Sequence, residues 1–416
     1  MADKKVGYKF KNMSKIITDE KLIEEILTRS VAEVLPTMQD LKNALLSGKK
    51  LRIYVGADAT GPQLHIGHAT NFMILEKLRR LGHEVIVLFG DFTALIGDPT
   101  DKSAARIRLT KAQVEANIKS WKEQIAPILN FKDRKNPAKI LRNSKWLAKL
   151  KFTNLIELAS NFTVQRMLER DMYEKRIEEG KPIHMHEFFY PLMQGYDSVA
   201  MDVDLEIGGT DQTFNMLAGR TLQKSYNDRE KFVLATTLLV NPKTGKKLMS
   251  KSEGGFIALN DSPTEMFGKT MALPDEVIIQ VFTDCTYLPL EEIKELEKQM
   301  KSWANPRDIK MKLAFELVKI YYSEKAAQEA QENFVKVFSK KETPEEVKSY
   351  KVESKKLLEI LVETNLASSN SDGRRVIKQG GVKIDNEVIK DVNFNLSTGE
   401  HLIQKGKRFF VKVIIG

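Results

Sequence analysis

The sequence predicts an α/β fold: a parallel-sheet domain with a helical insertion, then a helical region, then a small α+β module. Three observations predict it. Residues 51–56 (LRIYVG), 57–63, 65–81 and 84–89 (EVIVLF) read in turn as apolar strand, polar loop, amphipathic helix and buried-type strand, the opening unit of a parallel sheet. After Pro263 the apolar spacing is helical throughout. From residue 357 the pattern changes to one short helix, a Gly380-Gly381 pair, a VKIDNEVI segment with Asp385-Asn386 as a turn, and a final RFFVKVII strand.

In the first unit, Gly56 turns the chain out of the strand. Ile66, Ala69, Phe72, Met73, Leu75, Leu78 and Leu81 keep one helix face apolar, and Gly82 stops the helix. Residues 111–175 are helix-rich by pattern, so the insertion is placed at about 111–200. Further helices are expected around 186–200 and 211–226, with a strand at 231–240. The helices after Pro263 fall at 264–272, 275–282, 290–303, 307–323 and 325–338. The charged run 339–355 reads as a linker. The expected units are therefore 1–255, 256–338, the linker at 339–355, and 356–416.

With 416 residues, 42% hydrophobic and 29% charged, the chain has the length and composition of a soluble globular protein. At roughly 100–200 residues per domain it holds two to four. The net charge of +10 (66 Lys and Arg against 56 Asp and Glu) fits a polyanionic partner. One cysteine, Cys285, excludes an internal disulfide and fits a reducing compartment; a buried thiol is expected there. Residues 1–15 lack the apolar core of a secretory signal, and no run of about 18 apolar residues predicts a membrane span. A cytoplasmic location is expected.

Two motifs carry chemistry. His65-Ile66-Gly67-His68 opens a helix directly after a strand and loop, where backbone N–H groups and the helix dipole favour an anion such as phosphate. The histidines, three apart, share a helix face, and Gly67 lets an adenine ring approach the backbone. Residues 247–255 (KLMSKSEGG) form a Gly-terminated loop with Lys251 between two serines. Such a loop can close on a triphosphate and offset charge as pyrophosphate leaves. The chain has no GxxxxGK[ST], no GxGxxG after a strand and no GxSxG elbow. His184 and His186 have no further ligand cluster, so no metal site is expected.

In order and separation, HIGH and MSKS resemble the paired hallmark of class I aminoacyl-tRNA synthetases. FYPLMQGYD (189–197) and EIGGTDQ (206–212) resemble the substrate site of tyrosyl-tRNA synthetases. The resemblance implies a Rossmann-like parallel-sheet catalytic domain, a helical anticodon-side domain, and a C-terminal S4-type RNA-binding domain. It implies that Tyr54 and Asp197 bind the substrate phenol, that Tyr190, Gln194 and Asp98 bind its ammonium, and that Gln212 lies by the carboxylate. Thr60, His65, His68 and Lys251, with the mobile pair Lys102 and Arg106, match positions that handle the phosphates. Gly56, Asp58, Gly67, Gly209, Asp211, Met249, Ser250, Lys251 and Ser252 match ATP-binding positions, with Gly209 and Asp211 at the ribose. Arg374, Arg375, Lys378 and Lys383 match the RNA-contacting face.

The implied substrates are L-tyrosine, ATP with magnesium, and tRNA(Tyr), with a homodimer as the working form. Two departures stand out: Leu248 occupies a position where the family often has lysine, and Asp101 one where glycine is usual. Tryptophanyl-tRNA synthetase and a catalytically silent RNA-binding homologue remain as alternatives.

Overall fold

The structure is a computed structural model that describes residues 15–98, 109–243, 245, 247–249, 256–302, 305–339, 348–385, 387–406 and 409–415. Its centre is a six-stranded sheet in the order β1-β6-β5-β2-β3-β4. The strands are β1 (Val31–Leu35), β2 (Arg52–Ala57), β3 (Glu84–Phe89), β4 (Lys139–Arg142), β5 (Leu205–Gly209) and β6 (Phe232–Thr236). Strands β2 to β6 run parallel, and β1 closes one edge antiparallel to β6. Residues on β2, β3, β5 and β6 are buried in consecutive runs rather than alternately, as helices on both faces require.

Helices α1 (Glu20–Thr28) and α2 (Met38–Leu46) flank β1. Helix α3 (Ile66–Arg80) joins β2 to β3 and buries Ile66, Ala69, Phe72, Met73, Leu75 and Leu78. Gly82 follows at φ +100°, where a Cβ would meet the Lys15 carbonyl at 3.0 Å, so glycine is the residue that lets the chain turn into β3. Helix α4 (Lys111–Ile125) leads to β4.

Short helices α5 (Ser144–Leu147), α6 (Phe152–Ala159), α7 (Val164–Leu168) and α8 (Asp171–Glu178) precede α9 (Met185–Met201), which returns the chain to β5. Helix α10 (Thr213–Asn227) packs closely on α9 at Gly195, where a Cβ would meet Leu222 at 2.8 Å and the Ala218 backbone at 3.1 Å.

Helices α11 (Pro263–Met271), α12 (Ile278–Cys285), α13 (Leu290–Lys301), α14 (Pro306–Tyr321) and α15 (Glu324–Ser339) share one buried cluster with the sheet, running from Ile23 to Ala330. Arg29 fastens the two parts together. Its buried guanidinium donates to the carbonyls of Thr283 (2.8 Å), Thr286 (2.6 Å) and Leu288 (2.7 Å) at the end of α12. No helix among the described residues is long and apolar enough to cross a membrane.

The C-terminal module has its own core, built on Val352, Leu357, Ile360, Ile377, Ile403 and Val413. Helices α16 (Leu357–Glu363) and α17 (Asn370–Lys378) accompany a sheet of order β7-β11-β10-β8-β9, with β7 (Lys348–Val352), β8 (Val382–Ile384), β9 (Glu387–Ile389), β10 (Gly399–Lys405) and β11 (Phe409–Ile415).

Three segments differ from the sequence expectation. Strand β4 and its lead-in helix α4 belong to the sheet unit, so the helical excursion begins at α5 rather than near 111. Strand β1 lies where no strand was expected. Within the segment 339–355 expected to be a linker, Lys348–Val352 pairs in parallel with β11.

Candidate active site

The site forms at the carboxyl ends of β2 and β5, where parallel strands leave a crevice for a ligand. Strand β2 delivers Tyr54 into the interior and carries exposed Gly56 near its end, and half-buried Asp58 and Thr60 follow in the loop. Strand β5 ends at Gly209, and Asp211 and Gln212 follow in a short turn into α10. Helix α9 supplies Tyr190, Gln194 and Asp197, whose spacing of four and three places them on one helix face.

Tyr54 is fully buried, and its hydroxyl lies 3.1 Å from the Ser198 hydroxyl. Asp197, 3% exposed, accepts from Trp146 Nε1 at 2.6 Å and Asn143 Nδ2 at 3.2 Å. Burial pushes its carboxyl well above the ordinary carboxylate range, against the pull of those donors. Burial likewise raises the Tyr54 phenol, so it stays protonated. A neutral hydroxyl and a carboxyl with acceptor oxygens thus lie within electrostatic reach in a water-poor site.

The other expected contacts of the amino-acid end are tied to one another. Tyr190 donates to Asp58 Oδ2 at 2.9 Å, and Thr93 donates to Asp58 Oδ1 at 2.6 Å. Gln212 donates to Asp98 Oδ2 at 3.0 Å and accepts from Asn215 at 3.0 Å. Arg170 lies 3.9 Å from Asp98, stacked over Tyr173 and Phe214. Gln194 donates to Glu206 Oε1 at 3.0 Å.

At the start of α3, the rings of His65 and His68 lie 3.7 Å apart, tilted by 37°, and the His65 backbone N–H donates to His68 Nδ1 at 3.2 Å. The proton of a neutral His68 therefore sits on Nε2. Burial, then His68 and Lys247, push His65 down to about 2. Burial pushes His68 to about 4. Both are neutral donors at physiological pH. Gly67 has no room to spare: a Cβ would touch the His65 ring at 3.1 Å.

Lys247 pairs with Asp211 at 2.6 Å. The Leu248 and Met249 side chains enter the main core, so Leu248 anchors the loop entry, and Met249 faces inward. Ser250, Lys251, Ser252, Lys102 and Arg106, with Asp101, lie outside the described residues.

In the C-terminal module, Arg374, Arg375 and Lys378 are exposed on one face of α17, whose other face buries Gly373, Val376 and Ile377. Lys383 follows on β8, half-buried. Arg375 is held by Asp372 at 2.7 Å. His184 and His186 stack on each other at the exposed start of α9. Cys285 is buried, with its thiol 3.5 Å from the Ile66 carbonyl.

Sequence reasoning missed Asn143 and Trp146, which hold Asp197, and Ser198, Glu206 and Lys231 beneath the pocket. The available signals were a glutamate inside the apolar run DLEIGG and a lysine opening KFVLAT, since charges in buried strands are found paired.

Residues 46–339 match the family model for class I tRNA synthetases (W and Y), and residues 336–412 match the tyrosine–tRNA ligase SYY-like C-terminal domain. The tyrosine–tRNA ligase of Carboxydothermus hydrogenoformans is 44% identical, with 94% of this chain and 97% of that one covered. That of Thermotoga maritima is 43% identical, with 95% and 98% covered. Among solved structures, a C-terminally truncated mitochondrial tyrosyl-tRNA synthetase of Aspergillus nidulans shares the fold at TM-score 0.64 and 23% identity, covering 76% of this chain and 94% of its own. The Archaeoglobus fulgidus tyrosyl-tRNA synthetase, solved with L-tyrosine, does so at TM-score 0.58 and 22% identity, covering 75% and 100%.

Proposed function

The chain belongs to the class I tRNA synthetases and, within them, to the tyrosine–tRNA ligases, and we infer that it carries out their reaction. It activates L-tyrosine with ATP to tyrosyl-adenylate and pyrophosphate, then transfers the tyrosyl group to the 3′ end of tRNA(Tyr). The observation that supports the choice of amino acid is the burial, within electrostatic reach of each other, of the Tyr54 hydroxyl and the Asp197 carboxyl: a phenol hydroxyl is the group that uses both a donor and an acceptor there. An indole N–H would leave one of them unmatched, which disfavours tryptophan.

In this reading the tyrosine ammonium lies among Asp98, Tyr190 and Gln194, and its carboxylate beside Gln212 attacks the α-phosphate. No enzymic nucleophile is needed; positioning and charge stabilisation supply the rate. The start of α3 receives the phosphates, with His65, His68 and Thr60 donating neutral hydrogen bonds as charge moves to the leaving pyrophosphate. Gly56, Asp58, Gly67, Gly209, Asp211 and the backbone at Met249 hold the nucleotide. Lys251, between Ser250 and Ser252, and the Lys102–Arg106 pair complete the phosphate end. ATP enters as its magnesium complex, the ion carried on phosphate oxygens.

Residues 256–338 and the module 356–416 serve the tRNA, the latter through Arg374, Arg375, Lys378 and Lys383. A homodimer is supported by large apolar side chains left exposed on the helical excursion: Phe152, Ile156, Val164 and Ile177. Substrates such as tRNA and ATP fit an enzyme that works in the cytoplasm.

The test is ATP–pyrophosphate exchange with magnesium against all twenty amino acids. Exchange with tyrosine alone is expected. Exchange with tryptophan overturns the amino-acid assignment, and none at all favours the silent RNA-binding homologue. Truncation after residue 338 is expected to spare exchange and to lower tRNA charging.

A further inference from the structure

We propose that the buried Lys231–Glu206 pair sets the hydrogen-bond polarity of the amino-acid pocket, acting through Gln194 at one end and Tyr54 at the other. The proposal rests on the tyrosine-site reading and makes Lys231 and Glu206 positioning residues.

Lys231 is fully buried and Glu206 is 1% exposed. The Lys231 ammonium pairs with Glu206 Oε2 and donates to Ser198 Oγ at 2.9 Å and to the Met216 carbonyl at 3.0 Å, which uses all three of its protons. Burying an ion pair is costly, and apolar residues of similar volume usually serve stability as well or better. Stability alone therefore does not account for this pair. Gly219 makes room for it, since a Cβ there would collide with the Lys231 head and come within 2.7 Å of Ser198 Oγ.

The available donors and acceptors fix the orientation of each neighbour. The two Glu206 carboxylate oxygens, one on the lysine ammonium and the other facing Gln194, act as acceptors. Gln194 must therefore turn its NH2 toward Glu206 Oε1, at 3.0 Å, and that leaves the Gln194 carbonyl oxygen as an acceptor for the substrate ammonium. On the other arm, Lys231 can only donate, so Ser198 Oγ accepts from it. Among the described residues Ser198 Oγ has one other hydrogen-bond partner, the Tyr54 hydroxyl at 3.1 Å, so its proton goes there. Tyr54, whose hydroxyl also faces the Glu206 carboxylate, keeps its own proton and can turn it from Glu206 to the substrate phenol oxygen, while an Asp197 oxygen accepts from the substrate hydroxyl. One charge pair thus makes one end of the pocket accept and gives the other end its donor.

The experiment compares two double variants in pyrophosphate exchange, with active sites titrated by the adenylate burst. Lys231→Met with Glu206→Leu removes the polarity without stranding a charge. It is expected to raise tyrosine KM about ten- to a hundredfold, the span for losing buried hydrogen-bond partners, with kcat and ATP KM nearly unchanged and weaker discrimination against phenylalanine. Lys231→Met with Glu206→Gln keeps an acceptor for Gln194 and is expected to recover most of the KM.

Wild-type tyrosine KM in the apolar variant, or a loss confined to the active fraction, overturns the proposal. Gln194→Ala separates the two levels: if it raises tyrosine KM while the apolar variant does not, only the polarity proposal falls. If neither moves KM, the tyrosine-site reading falls with it. Should the apolar variant not fold, Gly219→Ala, which crowds Lys231 and Ser198 while keeping both charges, decides through the same KM shift or its absence.

Discussion

The two ends of the proposed catalytic crevice, one for the amino acid and one for the phosphates, are built differently. At the amino-acid end, Tyr54, Asp197, Ser198, Glu206 and Lys231 come from strands, a strand's lead-in and the interior of one helix and are nearly inaccessible to water; Tyr54, Ser198, Lys231 and Glu206 hold each other, and Asp197 is held by Asn143 and Trp146. At the phosphate end, the groups come from a helix start and loop edges, and the Lys247–Asp211 pair has side chains 60% and 34% exposed. The first arrangement suits a neutral-headed side chain recognised before any chemistry occurs. The second suits a charge that moves during the reaction, for which donors must be ready while solvent and pyrophosphate come and go. Substitutions at the two ends should accordingly divide between binding and turnover.

The sharpest way to break this division is His65→Ala. It is expected to lower kcat for adenylate formation about 10²- to 10³-fold, as for loss of one transition-state donor, with tyrosine KM unchanged in pyrophosphate exchange. A rise in tyrosine KM instead would merge the two ends. Next in size, Asp197→Asn is expected to reduce kcat/KM for tyrosine about ten- to a hundredfold, the cost of leaving a buried polar group without its proper partner. Phenylalanine should change little, so the ratio of the two amino acids is the quantity to measure.

Acidification tests the claim that the histidines are buried neutral. His68 and His83 sit near 4 and His65 near 2, all below the ordinary 6.5. Between about 6.5 and 4 the unfolded chain binds protons that the folded protein does not, so stability present above 6.5 is lost as pH falls. Each imidazole contributes about 1 kcal/mol per pH unit in that window, and denaturant midpoints from about pH 7 to 5 would show it. Smallest of all, Lys247→Ala removes an exposed pair and should change stability by under about 1 kcal/mol, with ATP KM rising a few-fold. A large fall in stability would mean the phosphate end is as rigidly built as the other.

Much of the fold was legible because its signals are local. The β2–α3–β3 unit declares itself through apolar period, a glycine stop and the HIGH turn, and α9 was expected as a helix at about 186–200, its site residues being named from the family resemblance of FYPLMQGYD. Strand β4 was not legible: four half-buried residues, KILR, at a sheet edge carry no alternation. Strand β7 was hidden by its charge, since KSYKV at an edge needs few apolar residues and edge strands commonly carry lysine. In the site, Tyr54, Tyr190, Gln194 and Asp197 could be named from motifs. Their supports could not, because Lys231 and Glu206 meet only when β5 and β6 lie side by side.

The antiparallel edge strand β1 has a consequence for how the chain is made. Val31 pairs with Thr236, roughly 200 residues later. At a synthesis rate of about 5–20 residues per second, that partner emerges about 10–40 s after β1 does. During that interval the first strand of the sheet is exported without a neighbour, its ladder groups open to any other strand nearby. Glu33, left exposed on it, is the kind of charge that discourages such pairing on a crowded polysome.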